Sequence, residues 1–140
     1  MHQPSEAFRR LIDSATAAGA GGPVAGQVVR AILATFASRL PPGERDQVAA
    51  HLPADVRHLI TPPRRSWHTA PARTVDELVA EILTTTPELG DRAAEQVTSA
   101  VLQTLRSLVP EEQLDVAAVL PPELRGLWQA GVAGAPRSAS

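Results

Sequence analysis

An internal duplication organises almost the whole of this 140-residue chain. Residues 27–60 align with residues 96–128 once a single residue near Arg39 is skipped, and about half of the aligned positions are identical. The apolar positions that precede each segment also correspond in spacing, so a unit of roughly 65 residues occurs twice. One such unit buries little apolar surface by itself. The duplication therefore predicts two units that pack on each other with approximate two-fold symmetry.

Apolar periodicity and proline positions divide the first unit into four helices. Phe8, Leu11, Ile12 and Ala15 recur at helical spacing, and Gly19 follows as a stop signal. A second, longer apolar stripe begins after Pro23 and ends at Pro41-Pro42. A short third helix spans residues 43–51, and Pro53 starts a fourth that ends at Ile60.

The second unit repeats this order. Thr74 and Glu77 form the sequence pattern of a capping box for the fifth helix, and Asp91 is the expected N-cap of the sixth. Pro110 is expected to start the seventh helix and Pro121-Pro122 the eighth. The predicted organisation is a first repeat at residues 5–60, a linker at 61–73, a second repeat at 74–130 and a flexible tail at 131–140, with both repeats in one domain.

Composition supports an all-α fold of about eight helices, as two tandem four-helix units. The chain is 44% hydrophobic, which is enough for a core, but only 3% aromatic, which leaves little material for a strand-rich sandwich. The absence of cysteine excludes disulfides, thiolate metal sites and thiol nucleophiles. All 13 basic residues are arginine, a bias typical of a GC-rich bacterial genome.

Charge is distributed unevenly along the chain. Residues 1–70 hold eight arginines and five acids, a net +3, whereas residues 71–140 hold five arginines and ten acids, a net −5. This polarity favours packing of one half on the other and predicts at most a weak, salt-sensitive homodimer. No long apolar stretch and no secretory signal pattern is visible, so we expect a cytoplasmic protein without membrane contact.

No residue pattern for catalysis, cofactor binding or metal binding is recognisable. His2, His51, His58 and His68 include no pair at the i, i+4 spacing of two metal ligands on a helix, and the glycines do not form a phosphate loop. Neighbouring acids such as Glu111-Glu112 are explained by the macrodipole at a helix start. We therefore expect no catalytic, cofactor or metal residues and no enzymatic activity.

Arg57 and Arg125 are the least expected of the polar residues that the two repeats share. Each lies near the start of its fourth helix, where the macrodipole disfavours a cation, so an acidic partner or a cluster of carbonyl groups should compensate. Glu44 and Glu112, also shared, are the candidate acidic partners. A structural role in setting the angle between two short helices is favoured over partner binding by the two arginines.

One family shares this pattern of motifs. The motifs are Ala31-Ile32-Leu33, Pro42-Gly43-Glu44 and Ala49-Ala50-His51-Leu52-Pro53, with Ala100-Val101-Leu102, Pro110-Glu111-Glu112 and Ala117-Ala118-Val119-Leu120-Pro121 in the second repeat. The chain thereby resembles the bacterial family catalogued as domain of unknown function 2267. His51 and Val119 stand where that family commonly has glutamine. The resemblance implies an all-helical, duplicated, cytoplasmic domain and brings no catalytic or cofactor residues.

Three functions remain open at this point. The leading hypothesis is a non-enzymatic helical module that binds another protein or itself. The alternative is a regulatory nucleic-acid or nucleoid binder in which Arg64, Arg65 and the stacking aromatic Trp67 of the linker contact the phosphate backbone and bases. A role for Trp67 as an anchor of the linker on the core is favoured over nucleic-acid binding, because three arginines are few for the phosphate contacts required. The third is a small-ligand binder or enzyme with a pocket between the repeats.

Overall fold

The computed structural model describes residues 4–60 and 75–137. Within these ranges the fold is all-α, as predicted, with eight α-helices and two short 3₁₀ turns. The first repeat contains α1 (Glu6–Ala18), α2 (Gly22–Ala37), α3 (Pro42–Ala50) and α4 (Ala54–Ile60). The second contains α5 (Val75–Thr85), a turn at Pro87–Leu89, α6 (Asp91–Leu108), a turn at Pro110–Glu112, α7 (Gln113–Val119) and α8 (Pro122–Arg137).

The limits of α1 follow from its end residues. The Ser5 hydroxyl accepts a hydrogen bond from the Phe8 backbone N–H at 3.1 Å, which satisfies one of the free donors of the first turn. At the other end Gly19 adopts φ 130°, a conformation that side-chain-bearing residues rarely occupy, and its N–H returns to the Ala15 and Thr16 carbonyls. The predicted stop at Gly19 is confirmed.

Helices of the two repeats pack on one another in equivalent pairs. The most extensive contact joins α1 to α6, and its counterpart under exchange of the repeats joins α5 to α2. Within each repeat the fourth helix packs on the second, so that α4 lies on α2 and α8 on α6. Buried residues of both repeats form one hydrophobic cluster. The two repeats therefore pack on each other through a shared core.

An aromatic stack lies at the junction of the repeats. Phe36 of α2 and Trp128 of α8 stack with ring centroids 5.3 Å apart and planes inclined by 12°. Trp128 is fully buried, and its indole N–H donates to the Gln113 carbonyl at 3.0 Å. With few aromatic residues in the chain, this pair supplies a large share of its buried aromatic surface.

Several predicted helix starts need correction. Pro110 begins a 3₁₀ turn instead of α7, because the Glu112 N–H closes a tight bond to the Val109 carbonyl at 3.0 Å and α7 starts only at Gln113. The N-cap of α6 is Gly90, at φ 84°, and Asp91 is already helical. Helix α8 continues to Arg137, beyond the predicted repeat limit at residue 130. Thr74, the predicted cap of α5, and the linker 61–73 lie outside the described residues.

Hydropathy along the helices does not reach the level of a membrane span. In the ranges that the structure describes, no helix combines the length and the apolar character needed to cross a bilayer.

Candidate functional site

Two of the five residues singled out as interaction candidates lie within the described part of the chain. Arg64, Arg65 and Trp67 fall within the linker, outside the described residues. Arg57 and Arg125 lie in α4 and α8, in equivalent positions of the two repeats.

Arg57 and Arg125 bind backbone carbonyl groups in the same way. In the first repeat, Arg57 Nε donates to the Ala49 carbonyl at 3.3 Å and Nη2 to the Leu52 carbonyl at 2.9 Å. In the second repeat, Arg125 Nε donates to the Ala117 carbonyl at 2.7 Å and Nη2 to Leu120 at 3.1 Å. Each guanidinium thus holds the last turn of the preceding short helix, where carbonyl groups lack helical partners.

The proposed acidic partners of these arginines are elsewhere, so that prediction is wrong. Among the described residues no ion pair joins Arg125 to Glu112, whose carboxylate binds His51 instead. The carbonyl alternative is the arrangement found, since a cation at the C-terminal end of α3 or α7 is favoured by the macrodipole of that helix.

Glu44 and Glu112 meet each other across the boundary between the repeats. Glu44 opens α3, and Glu112 ends the 3₁₀ turn Pro110–Glu112 that precedes α7. They occupy equivalent positions in the duplicated sequence. One carboxylate oxygen from each, together with one from Asp115 of α7, lies within 4.8 Å of the others. We call these three side chains the acid cluster.

The acid cluster is partly shielded from water, and two of its carboxylate oxygens have no donor among the described residues. Glu44 Oε2 and Glu112 Oε1 are buried oxygens that accept no hydrogen bond from any N–H or O–H in the described part of the chain. Burial raises the pKa of Glu44 to about 7, and a hydrogen bond to Glu112, the charge of Glu112 and the charge of Asp115 act in the same direction. Since two carboxylates can hydrogen-bond each other only through a proton, this geometry favours one shared proton.

His51 faces the acid cluster from the C-terminal end of α3. Its Nε2 is 3.3 Å from Glu112 Oε2 and its Nδ1 is 3.2 Å from Glu111 Oε1. A ring with both nitrogens protonated would donate to both carboxylates at once. His51 therefore adds a second polar link between α3 and the 3₁₀ turn.

Helix α7 carries the most exposed large apolar side chain of the described residues. Leu114 is 81% exposed and Val119 is 39% exposed, and Ala118 is exposed between them. The exposed acids Glu111 and Asp115 lie beside them. We call the exposed residues Glu111, Leu114, Asp115, Ala118 and Val119 the α7 surface.

The first repeat provides an internal comparison for this surface. The positions of α3 that correspond to Leu114, Asp115, Ala118 and Val119 are Asp46, Gln47, Ala50 and His51, and all four are also exposed. The equivalent surface of the first repeat is thus largely polar. The two repeats share the burial pattern of this helix and differ in what they present to solvent.

A groove of about 520 Å³ lies between the repeats, where α1 meets α6. Its lining is small or polar and includes Ser14, Gln103, Thr104 and Arg106. It contains no acid that would pair with a base for proton transfer. A second groove of about 470 Å³, near Phe8, Arg30 and Asp55, belongs to the first repeat alone.

The sequence analysis missed the acid cluster as a unit. It identified Glu44 and Glu112 as shared polar residues but assigned each to the arginine of its own repeat. Their equivalent positions in the duplicated sequence were the available signal, because the two repeats pack on each other and can bring such positions together. Asp115 and His51 have no acidic or basic counterparts in the other repeat, so nothing in the alignment marks them.

Comparison with known proteins identifies the family. No curated protein and no solved structure matches the chain. Residues 11–89 and residues 84–139 match the family described as uncharacterized conserved protein (DUF2267). Because these matches together cover most of the chain, the protein belongs to the DUF2267 family.

Proposed function

We propose that the protein acts in the cytoplasm as a non-enzymatic interaction module and that the α7 surface binds a partner protein. The observation that carries this proposal is the contrast between the repeats. At one and the same exposed position, the first repeat has Asp46 and the second has Leu114. Single exposed apolar residues are common, but here Leu114 and Val119 share the exposed side of one helix, where the duplicate helix has Asp46 and His51.

Burial by a partner would recover the hydrophobic free energy that the fold itself leaves unused. Fully burying a leucine side chain is worth about 1.5–3 kcal/mol, and Val119 and Ala118 would add to this. A leucine with this exposure contributes almost nothing to the core, so that hydrophobic free energy is available to a partner.

The charges beside the α7 surface define the partner's chemistry. Glu111 and Asp115 are exposed acids, and Glu111 is 75% exposed. An apolar side chain flanked by basic residues would complement this surface. A symmetric dimer would place the same acids against each other, which is unfavourable. Docking on the arginine-rich half of a second copy would be a head-to-tail contact, which yields a ring or an open chain of copies and not a simple pair. We therefore infer a different protein as the partner.

The test replaces the apolar residues with their counterparts from the first repeat. Leu114→Asp with Val119→His should leave the free energy of unfolding nearly unchanged and weaken partner binding at least about tenfold, equal to ~1.4 kcal/mol. Gln47→Asp is the matched control, since it adds an acid at an equivalent exposed position of α3. Partners enriched with the wild-type protein are purified and their dissociation constants measured at two salt concentrations.

Two results would contradict the proposal. One is an unchanged dissociation constant for each purified partner with the double variant. The other is sedimentation showing a wild-type dimer that Leu114→Asp dissociates, because the α7 surface would then be occupied by a second copy.

A further inference from the structure

We propose that Glu44 and Glu112 share one proton and that loss of this proton separates α3 from the 3₁₀ turn Pro110–Glu112, so that the pair is a pH-sensitive contact between the two repeats. This inference goes beyond the proposed function, because it concerns the contact between Glu44 and Glu112 beneath α7, although Asp115 belongs to both the acid cluster and the α7 surface.

The position of the pair makes it a link between the repeats. Helix α3 packs mainly on α4 of its own repeat, and the turn packs on α6 and α7 of the other. The contact that Glu44 and His51 make with Glu112 joins these two packing units through polar side chains. A change in charge at this contact therefore affects the boundary between α3 and the turn Pro110–Glu112 and leaves the apolar packing within each repeat intact.

The two buried oxygens of the pair have no donor among the described residues that would stabilise two negative charges, and His51 Nε2 approaches only the other oxygen of Glu112. The Glu112 side chain is only 10% exposed, and the buried oxygens Glu44 Oε2 and Glu112 Oε1 accept no hydrogen bond from the described residues. Two ionised carboxylates at this distance repel, and the weakly hydrated surroundings strengthen the repulsion. One proton between them converts the repulsion into a hydrogen bond.

Charged groups on the neighbouring elements do not remove this repulsion. Asp115 of α7 adds a further negative charge near Glu44. Arg57 of α4 donates to carbonyl groups at the end of α3. Arg106 of α6 has a buried Nε with no hydrogen-bond partner among the described residues.

Within α3 itself, the other charged groups facing this region are Arg45 and His51. Arg45 donates to the Leu40 carbonyl at 3.5 Å. His51 faces Glu112 and Glu111, and a ring with both nitrogens protonated would offset part of the negative charge. The experiment must therefore distinguish the contribution of His51 from that of the glutamate pair.

The direction of the pH effect follows from the two states of Glu44. Burial, followed by the hydrogen bond and charge of Glu112, raises its folded pKa from 4.5 to about 7. The folded protein thus binds more protons than the unfolded chain between these values, and its stability falls as pH rises through that window. The contact is complete below about pH 4.5 and is lost as pH rises through about 7.

The direct test is ¹³C NMR of the glutamate side-chain carboxyl carbons of the full chain between pH 4 and 9. We expect one carboxyl signal to titrate with a midpoint near pH 7. Its absence from the spectra of Glu44→Gln would assign that signal to Glu44. His51→Gln should shift this midpoint without abolishing it. Midpoints below pH 5 for every glutamate would overturn the proposal, whether or not the variant folds.

Amide hydrogen exchange tests the conformational consequence. Between pH 6 and 8.5 we expect protection factors in residues 42–51 and 110–119 of the wild type to fall about tenfold more than those of α1 and α6. In Glu44→Gln the amide can donate to Glu112 at every pH, so the protection factors should stay constant. Glu95→Gln, which alters an exposed acid of α6, should behave as wild type.

A bound divalent cation could also neutralise the acid cluster. The NMR titration and the hydrogen-exchange measurements distinguish this alternative from a shared proton. If 5 mM Ca²⁺ or Mg²⁺ removes the pH dependence, or if EDTA creates it, a divalent ion and not a proton holds the contact, and the proposal fails. Identical titrations with and without these additions support it.

Discussion

Ser5 connects the start of α1 to the start of α4 through three hydrogen bonds. Its hydroxyl accepts from the Phe8 N–H and donates to Asp55 Oδ1 at 2.8 Å, and its backbone N–H donates to Asp55 Oδ2 at 2.8 Å. Burial alone would raise the pKa of Asp55, but the bonds from the Ser5 N–H and hydroxyl outweigh it and lower that pKa below 3.8. One side chain thus serves both as a helix cap and as a tertiary link.

Ser5→Ala should lower the free energy of unfolding by about 1–2 kcal/mol at pH 7, because it removes the cap and one bond to Asp55. The lowered pKa of Asp55 stabilises the fold above pH 3.8, and this contribution is lost as pH falls through the folded value. Urea unfolding at pH 7 and pH 3 measures both effects.

Asp55→Asn should therefore lose less stability on acidification than the wild type does. Asp13→Asn, at an exposed position of α1, is the control. Equal acid sensitivity of wild type and Asp55→Asn would contradict the role assigned to Ser5.

At the scale of the helices, Arg57 and Arg125 determine how each short third helix meets the fourth. The guanidinium satisfies carbonyls that the end of α3 or α7 leaves free, and it does so with the same two atoms in both repeats. The shared serines also bond locally: the Ser38 hydroxyl donates to the Thr35 carbonyl and the Ser107 hydroxyl to the Thr104 carbonyl, both at 2.6 Å. The duplication has kept local backbone contacts, which each repeat needs by itself.

Arg125→Met should cost about 1–3 kcal/mol of unfolding free energy, since it preserves the apolar stem and leaves two carbonyls without their donor. Arg125→Lys should recover only part of the loss, because an ammonium group cannot reproduce the planar two-donor geometry. Chemical denaturation provides the measurement, with Arg92→Met, on the exposed side of α6, as the control. Stability equal to wild type in Arg125→Met would show that water replaces the guanidinium without cost.

At the scale of the whole molecule, the repeats exchange their main packing partners. Helix α1 packs most extensively on α6, and α5 packs on α2, so each repeat completes the core of the other. The stack of Phe36 on Trp128 adds an aromatic contact between them. The hydrophobic cluster is shared, and neither repeat contains the whole of it.

Separated halves, residues 1–73 and 74–140, should each show little helix by circular dichroism, because a unit of this size without its partner buries too little apolar surface. Equimolar mixing should restore the helical signal and a cooperative thermal transition. A half that unfolds cooperatively alone would contradict the shared core.

Sequence reasoning recovered the helices well where the signal was local. Periodic apolar positions and flanking prolines located all eight, and Gly19 ended α1 as expected. Predictions from the sequence were wrong or missing where the local structure depends on contacts with residues distant in the chain. Pro110 permits both a 3₁₀ turn and an α-helical start, and the tight turn that buries Glu112 is what the structure adopts. The α7 surface was also missed, because exposure depends on which side of a short helix the core covers.

The sequence by itself determined the helical class, the duplication and the burial of the shared apolar positions, because these follow from propensity and period, which act over a few residues. The tertiary structure alone decided that Glu44 meets Glu112 and not Arg57. Electrostatic partners are chosen by distance in space, and these two glutamates are brought together only when α3 and the turn before α7 converge at the seam between the repeats.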